Sequence, residues 1–210
     1  MAQRFVVHPV DPQPRLIRQA VAIVRDGGVI AYPTDSSYAL GSRLGDVEAV
    51  RRIRRIRGVD EDHLLTLMFA DLAAIGQFAR LDNWQFRAVR QGTPGPYTFI
   101  LPATHDVPRR LQHARRKTVG VRVPDHPVAQ ALLAEMQAPL LSSTLQLPGA
   151  PGPENDPDAI REALENAIDL VIDAGPCRGE PTTVVDLAVD PPALVRRGAG
   201  ALERLGLALG

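Results

Sequence analysis

The sequence predicts an α/β fold, and three observations in its 210 residues carry that expectation. Short apolar runs of strand length alternate with amphipathic segments of helical period. Several strand candidates follow one another with no helix between, so the sheet is expected to mix parallel and antiparallel pairs. The 19 prolines and 17 glycines punctuate many short turns, which argues for a strongly twisted sheet. With no internal repeat and no long linker, residues 1–210 read as a single domain, long enough to bury a sizeable core.

Phe5-Val6-Val7 reads as a short strand closed by His8-Pro9. From Pro14 to Arg25 the apolar residues Leu16, Ile17, Ala20, Val21 and Val24 fall on one helical face, with Pro14 tolerated in the first turn. Gly28 to Tyr32 is a buried strand. Asp46 is the N-cap of a helix through about Ile56, whose apolar seam is Val47, Val50, Ile53 and Ile56. Leu64 to Phe69 reads as a strand, followed by short helices after Asp71 and Asp82. Strands are expected at Tyr97–Leu101, Val119–Val123, Leu140–Ser143, Leu170–Asp173, Thr183–Leu187 and Leu194–Arg196. Helices are expected from about Pro127 to Met136 and from Pro157 to Asn166, with a Pro- and Gly-rich loop at Gln146–Pro157.

Formal net charge is zero, so no global field argues for or against a polyanionic partner. The basic residues are nevertheless clustered, at Arg43 to Arg57 and again at Arg109 to Lys117. Lys117 is the only lysine, which makes lysine-based covalent catalysis improbable. Cys177 is the only cysteine, and the five histidines show no paired metal-ligand spacing; a disulfide and a zinc site are excluded or disfavoured accordingly. No apolar run approaches membrane-spanning length and Met1-Ala2-Gln3-Arg4 shows no signal stretch, so a cytoplasmic protein with no membrane partner is expected.

The stretch Pro33-Thr34-Asp35-Ser36-Ser37-Tyr38-Ala39-Leu40-Gly41 concentrates hydroxyls and a carboxylate just after a buried strand. By itself it reads as a polar turn. Four further motifs follow it in order: Pro94-Gly95-Pro96-Tyr97-Thr98-Phe99-Ile100-Leu101, Val119-Gly120-Val121-Arg122-Val123-Pro124-Asp125-His126-Pro127, Thr182-Thr183-Val184-Val185-Asp186 and Val195-Arg196-Arg197-Gly198-Ala199. Together the five resemble the P-T-E-T-x-Y-G-L-G, P-G-P-x-T-x-I-L, V-G-V-R-x-P-x-x-P, S-T-V-V-D and L-R-x-G-A segments of the YrdC-like family, across nearly the whole chain. Within that family the sequence most resembles the YciO branch.

The resemblance implies a twisted open sheet with flanking helices around a basic concavity. It also implies formation of threonylcarbamoyl-adenylate from threonine, bicarbonate and ATP, with release of pyrophosphate, as a step towards a tRNA modification. Magnesium would accompany the ATP. Carried over by position, Thr34, Arg122, Ser142 and Thr182 would hold threonine, with Arg122 on its carboxylate. Arg55, Arg57, Lys117, Thr118, Thr144 and Arg196 would meet the nucleotide. The alternatives are a strand arginine capped by a surface acid for Arg122, and satisfied strand hydroxyls for Ser142 and Thr182.

Two segments depart from the family pattern. Arg55-Ile56-Arg57-Gly58 stands where synthases carry K-x-R-P, and Thr144-Leu145-Gln146 stands for S-x-N. Glu61 and Asp62 add negative charge nearby, unfavourable beside a polyphosphate unless a metal intervenes. A second function is therefore carried: a nucleotide- or double-stranded-RNA-binding protein without efficient synthase activity. Arg51, Arg54, Arg109, Arg110, Arg115 and Arg116 would supply its backbone contacts, although Arg51, Arg52 and Arg54 equally suit the solvated face of a helix.

Overall fold

The computed structural model describes residues 1–61 and 63–207. In chain order, β1 (Gln3–Val6) leads into α1 (Pro14–Arg25), β2 (Ile30–Tyr32), β3 (Ala39–Arg43) and α2 (Val47–Arg57). Next come β4 (Thr66–Met68), α3 (Leu72–Phe78), α4 (Asn83–Gly92), β5 (Tyr97–Pro102) and, past a 3-10 turn at Arg109–Leu111, β6 (Thr118–Arg122). Then follow α5 (Pro127–Met136), β7 (Leu140–Thr144), α6 (Pro157–Leu164), β8 (Leu170–Asp173), β9 (Thr183–Asp186), β10 (Ala193–Arg196) and a 3-10 turn at Leu202–Leu205. Among the described residues, no helix is long and apolar enough to cross a membrane.

Local chemistry accounts for the helix starts. The Asp46 carboxylate accepts from the Ala49 amide at 3.0 Å and that of Asp71 from Ala74 at 2.9 Å. Such a cap is worth about 1 kcal/mol against alanine. Asp82 and Gln85 close a reciprocal capping box at the head of α4. At its far end α2 stops on Gly58, whose φ of 62° is left-handed. Proline, fixed near −65°, could not take that backbone, so the departure from K-x-R-P also changes how the chain leaves the helix.

The strands form one mixed sheet, ordered β1-β8-β2-β3-β7-β4-β6-β5-β9-β10. β1/β8, β2/β8, β4/β6 and β5/β9 are parallel; the remaining neighbours are antiparallel. Alternate side chains feed two cores. Ile30, Tyr32, Leu140, Leu170 and Ile172 pack under α1 and α5, against Ile17, Val21, Val24, Leu132 and Leu133. Ala31, Leu40, Leu67, Val121, Leu141 and Val171 face the other way, with Val50 and Ile53 of α2, Ile75 of α3, Val89 of α4 and Ile160 of α6. This is the α/β mixed sheet that the sequence predicts.

One strand is not anticipated. Ala39 to Gly41 reads in the sequence as the end of the hydroxyl-rich turn, yet Ala39–Arg43 forms β3, paired with β2 and β7. Its composition hides it, because Ala39, Gly41 and Ser42 lack the branched side chains that mark strands. Packing supplies the reason for the glycine: a Cβ at Gly41 would lie 2.8 Å from both Leu140 Cδ2 and Tyr32 Cε1.

Candidate functional site: an arginine-lined cavity on the open face of the sheet

On the face that carries Leu140 and Met68, the side chains shorten towards β5 and β9. Ser142 lies beside Thr66, Thr66 beside Gly120, and Gly120 beside Ile100 in adjacent strands; Thr98 is opposite Val184. These residues floor a cavity of about 360 Å³. Gly120 contributes no side chain to it. A Cβ there would sit 3.3 Å from Thr66 Oγ1. The reverse face at the same level is bulky: Leu67, Phe99, Val119, Val121 and Leu141. The floor is thus recessed by sequence, small residues alternating with large ones.

Three guanidinium groups enter this space. Arg122, at the end of β6, is 7% exposed; it donates through Nη2 to Asp35 Oδ1 at 2.5 Å and through Nη1 to Ser36 Oγ at 3.1 Å. Its Nε and the second Asp35 oxygen are buried without a hydrogen-bond partner among the described residues. Arg57, the last residue of α2, donates to the Thr144 carbonyl. Arg196 donates through Nε to the Thr182 carbonyl at 3.0 Å and through Nη2 to Thr182 Oγ1 at 2.8 Å. A bulge brings Arg196 there: Leu194 pairs with Val185 but Arg196 with Val184, skipping Val195. Directly opposed residues share a face, so the bulge turns Arg196 onto the side of Val184.

The electrostatics are one-sided. No carboxylate lines the cavity among the described residues. Burial lowers the pKa of Arg57, and the charge of Arg196 lowers it further; Arg196 is lowered by burial and by Arg122. His63, on the wall, is held below its ordinary value by burial and then by Arg57. Neither Arg57 nor Arg196 forms an ion pair among the described residues. Anions are therefore the ligands this space favours.

Hydroxyls complete the lining, and several already serve the fold. Thr34 Oγ1 donates to the Ser37 carbonyl at 2.7 Å and accepts from the amides of Ser36 and Ser37, organising the turn after β2. Ser142 shares a 2.8 Å hydrogen bond with the buried Tyr32 phenol, whose pKa burial pushes up to about 12. Thr182 and Thr98 share one at 3.1 Å.

Of the residues singled out in the sequence, Thr34, Arg57, Arg122, Ser142, Thr144, Thr182 and Arg196 converge on this cavity. Arg55, Lys117 and Thr118 do not line it. Arg55 is exposed on α2, and Lys117 is exposed at φ 53° with its Nζ donating to the Ala114 carbonyl. Thr118 is buried on β6, two residues before Gly120, its hydroxyl unpartnered among the described residues. The acid that pairs with Arg122 is Asp35, a largely buried residue of the motif turn and not a surface acid. Asp62 lies outside the described residues. Glu61 lines a neighbouring groove instead, together with Arg51, Arg54, Arg109, Arg110 and Arg115. That groove, about 680 Å³, shares the wall His63-Leu64-Leu65 with the cavity. Arg116 turns away to pair with Asp186 at 2.6 Å. The sequence reading missed Thr66, Thr98 and Gly120 as floor residues. Their signal is a small or hydroxyl-bearing residue inside an otherwise apolar strand.

The five ordered motifs and this geometry agree with the relatives. Residues 22–198 match the Sua5/YciO/YrdC family model, described as telomere recombination. The chain belongs to that family. It is 51% identical over 203 residues to the uncharacterised YciO of Escherichia coli K12, covering 97% of this chain and 98% of that protein. The YciO crystal structure superposes with a TM-score of 0.94 at 50% identity, covering 98% of this chain and 100% of YciO. Among family members named as threonylcarbamoyl-AMP synthases, that of Bacillus subtilis is 31% identical over 202 residues, 95% of this chain but 57% of the enzyme. The structure of Pyrococcus abyssi Sua5 complexed with L-threonine matches at a TM-score of 0.87 and 28% identity, over 96% of this chain and 59% of Sua5. The chain is thus a YciO-like family member related to threonylcarbamoyl-AMP synthases.

Proposed function

We propose that the cavity binds threonine and ATP and forms threonylcarbamoyl-adenylate, in the cytoplasm. The observation that supports this most is the convergence of Thr34, Arg57, Arg122 and Arg196, from four distant segments, on one space that no carboxylate lines among the described residues. In this reading the threonine amine takes up bicarbonate with loss of water, giving an N-carboxylate. An oxygen of that carbamate attacks the α-phosphorus of ATP, and the bond to pyrophosphate breaks. Every participant is anionic, so the catalytic need is charge neutralisation and alignment, which fixed guanidiniums and hydroxyls provide. Arg57 and Arg196 face the nucleotide and Arg122 faces the amino acid. Arg55, Lys117 and Thr118 have no part in this first contact.

Magnesium fits the nucleotide better than the protein. No carboxylate lines the cavity, and no group of three His, Cys, Asp or Glu suits a metal among the described residues. The ion would arrive on the ATP phosphates, neutralising their charge.

A second reading has its own observation. The neighbouring groove gathers arginines from α2 and from the turn at Arg109–Leu111, on an apolar strip of Val47, Val50 and Leu111. It would suit the backbone of duplex RNA or tRNA. Incubating the protein with threonine, bicarbonate, magnesium and ATP tests the first reading; absence of threonine-dependent pyrophosphate sinks it. The second expects duplex-RNA affinity that falls steeply with salt.

A further inference from the structure

Resting on the reading of the cavity as an amino-acid site, we infer that it takes its amino acid as an anion, with the amine unprotonated, and selects against the zwitterion. A site for a zwitterion needs a negative or strongly accepting group for the ammonium beside a cation for the carboxylate. Here the cation is present and, among the described residues, no carboxylate lines the space to receive the ammonium. The charged groups facing the space are Arg57 from α2, Arg122 from β6 and Arg196 from β10, with His63 on the wall. Neither nearby acid lines the cavity: Asp35 is paired with Arg122 through Oδ1, with its Oδ2 buried and without a partner among the described residues, and Asp60 accepts from the His63 amide at 3.1 Å.

Arg57 and Arg196 have no compensating carboxylate among the described residues, so positive potential fills the cavity. An ammonium brought into it meets like charge; a neutral amine or an N-carboxylate does not. The hydroxyls of Ser142, Thr144 and Thr182 accept from and donate to an uncharged amine equally well. The same field that receives the phosphates thus prepares the amine to act as a nucleophile. The ligand class is a 2-amino or 2-hydroxy carboxylate, not an amino alcohol.

The test is calorimetric titration without bicarbonate, from about pH 7 to about pH 9.5, where arginines keep their charge and His63 is neutral. Three probes are compared: threonine, 2,3-dihydroxybutanoate, which carries a hydroxyl for the amine, and 1-aminopropan-2-ol, which lacks the carboxylate. The expected result is threonine affinity rising close to tenfold per pH unit until the amine titrates. The hydroxy acid should bind independently of pH and, near neutrality, at least about tenfold tighter than threonine, and the amino alcohol should not bind. Threonine binding that is flat with pH, or tighter than the hydroxy acid at about pH 7, overturns the inference while leaving the amino-acid site standing. Binding of neither carboxylate removes the amino-acid site itself, and the inference with it.

Discussion

The two ends of the cavity hold arginine in opposite ways. Arg122 is nine-tenths buried, and its charge is matched by Asp35 at 2.5 Å. Among the described residues Arg57 and Arg196 touch only carbonyls and a hydroxyl; burial lowers the pKa of both, that of Arg57 further through Arg196 and that of Arg196 further through Arg122. A buried pair is fixed before ligand arrives, at the cost of desolvating both partners. Unpaired, half-buried cations remain unsatisfied until an anion arrives. In the proposed reading, the amino-acid end would be preorganised by the chain and the nucleotide end completed by its ligand.

Breaking the pair should give the largest effect. Arg122→Ala leaves Asp35 buried without its partner, which typically costs about 3–5 kcal/mol. Urea denaturation should show that loss, and Asp35→Asn in the Arg122→Ala background should recover much of it. If the single change alters stability by less than about 1 kcal/mol, the pair is not the anchor described here. The other end should respond in reverse. Arg57→Ala and Arg196→Ala each remove a desolvated, repelled charge, so stability should hold or rise within about 1 kcal/mol. ATP affinity should fall by a factor of about 30–100, the worth of a charge-assisted hydrogen bond. Loss of stability with unchanged nucleotide binding would reverse the comparison.

What was legible in the sequence follows the same division. Helices with strong periodicity, such as Pro14–Arg25, are found to the residue, the cap Asp46 acts as read, and a helix follows Asp71 as expected. Motif order brings Thr34, Arg122 and Arg196 into view because each follows a recognisable apolar run. Three things were hidden. The strand β3 is made of small residues whose pairing depends on neighbours far along the chain. The bulge at Val195 depends on register, which a period-two pattern over four residues does not encode. The Asp35–Arg122 pair joins residues 87 positions apart, and nothing local couples them. Arg55 illustrates the converse: a motif position matched by sign lies on the exposed side of α2.

A smaller effect probes the floor between the two ends. Tyr32 is buried with its hydroxyl on Ser142, and its folded pKa is raised to about 12. The folded state thus favours the protonated phenol. Its contribution is fully present below about pH 10 and is lost as pH rises towards 12. Tyr38, Tyr97 and Cys177 are raised too, by burial, so the wild-type loss in alkali has several sources. Tyr32→Phe should cost about 1 kcal/mol at neutral pH and make the alkaline decline shallower. An alkaline decline identical to wild type would place the sensitive phenol elsewhere.

The smallest effect reports on the unpaired end directly. His63 sits on the wall shared by the cavity and the groove, where burial and the charge of Arg57 lower its pKa. Folding therefore disfavours its protonated form. Stability associated with it is present above the ordinary histidine pKa and declines as pH falls through the lower folded value. A polyphosphate between Arg57 and Arg196 would offset the field that causes part of this shift. In histidine proton spectra, the His63 titration should begin below the ordinary range and move upward when ATP is added. Threonine alone, held by Arg122 at the compensated end, should move it much less. A His63 titration equally sensitive to both ligands would mean that the two ends share one field, and that the contrast between paired and unpaired arginines has no consequence for binding.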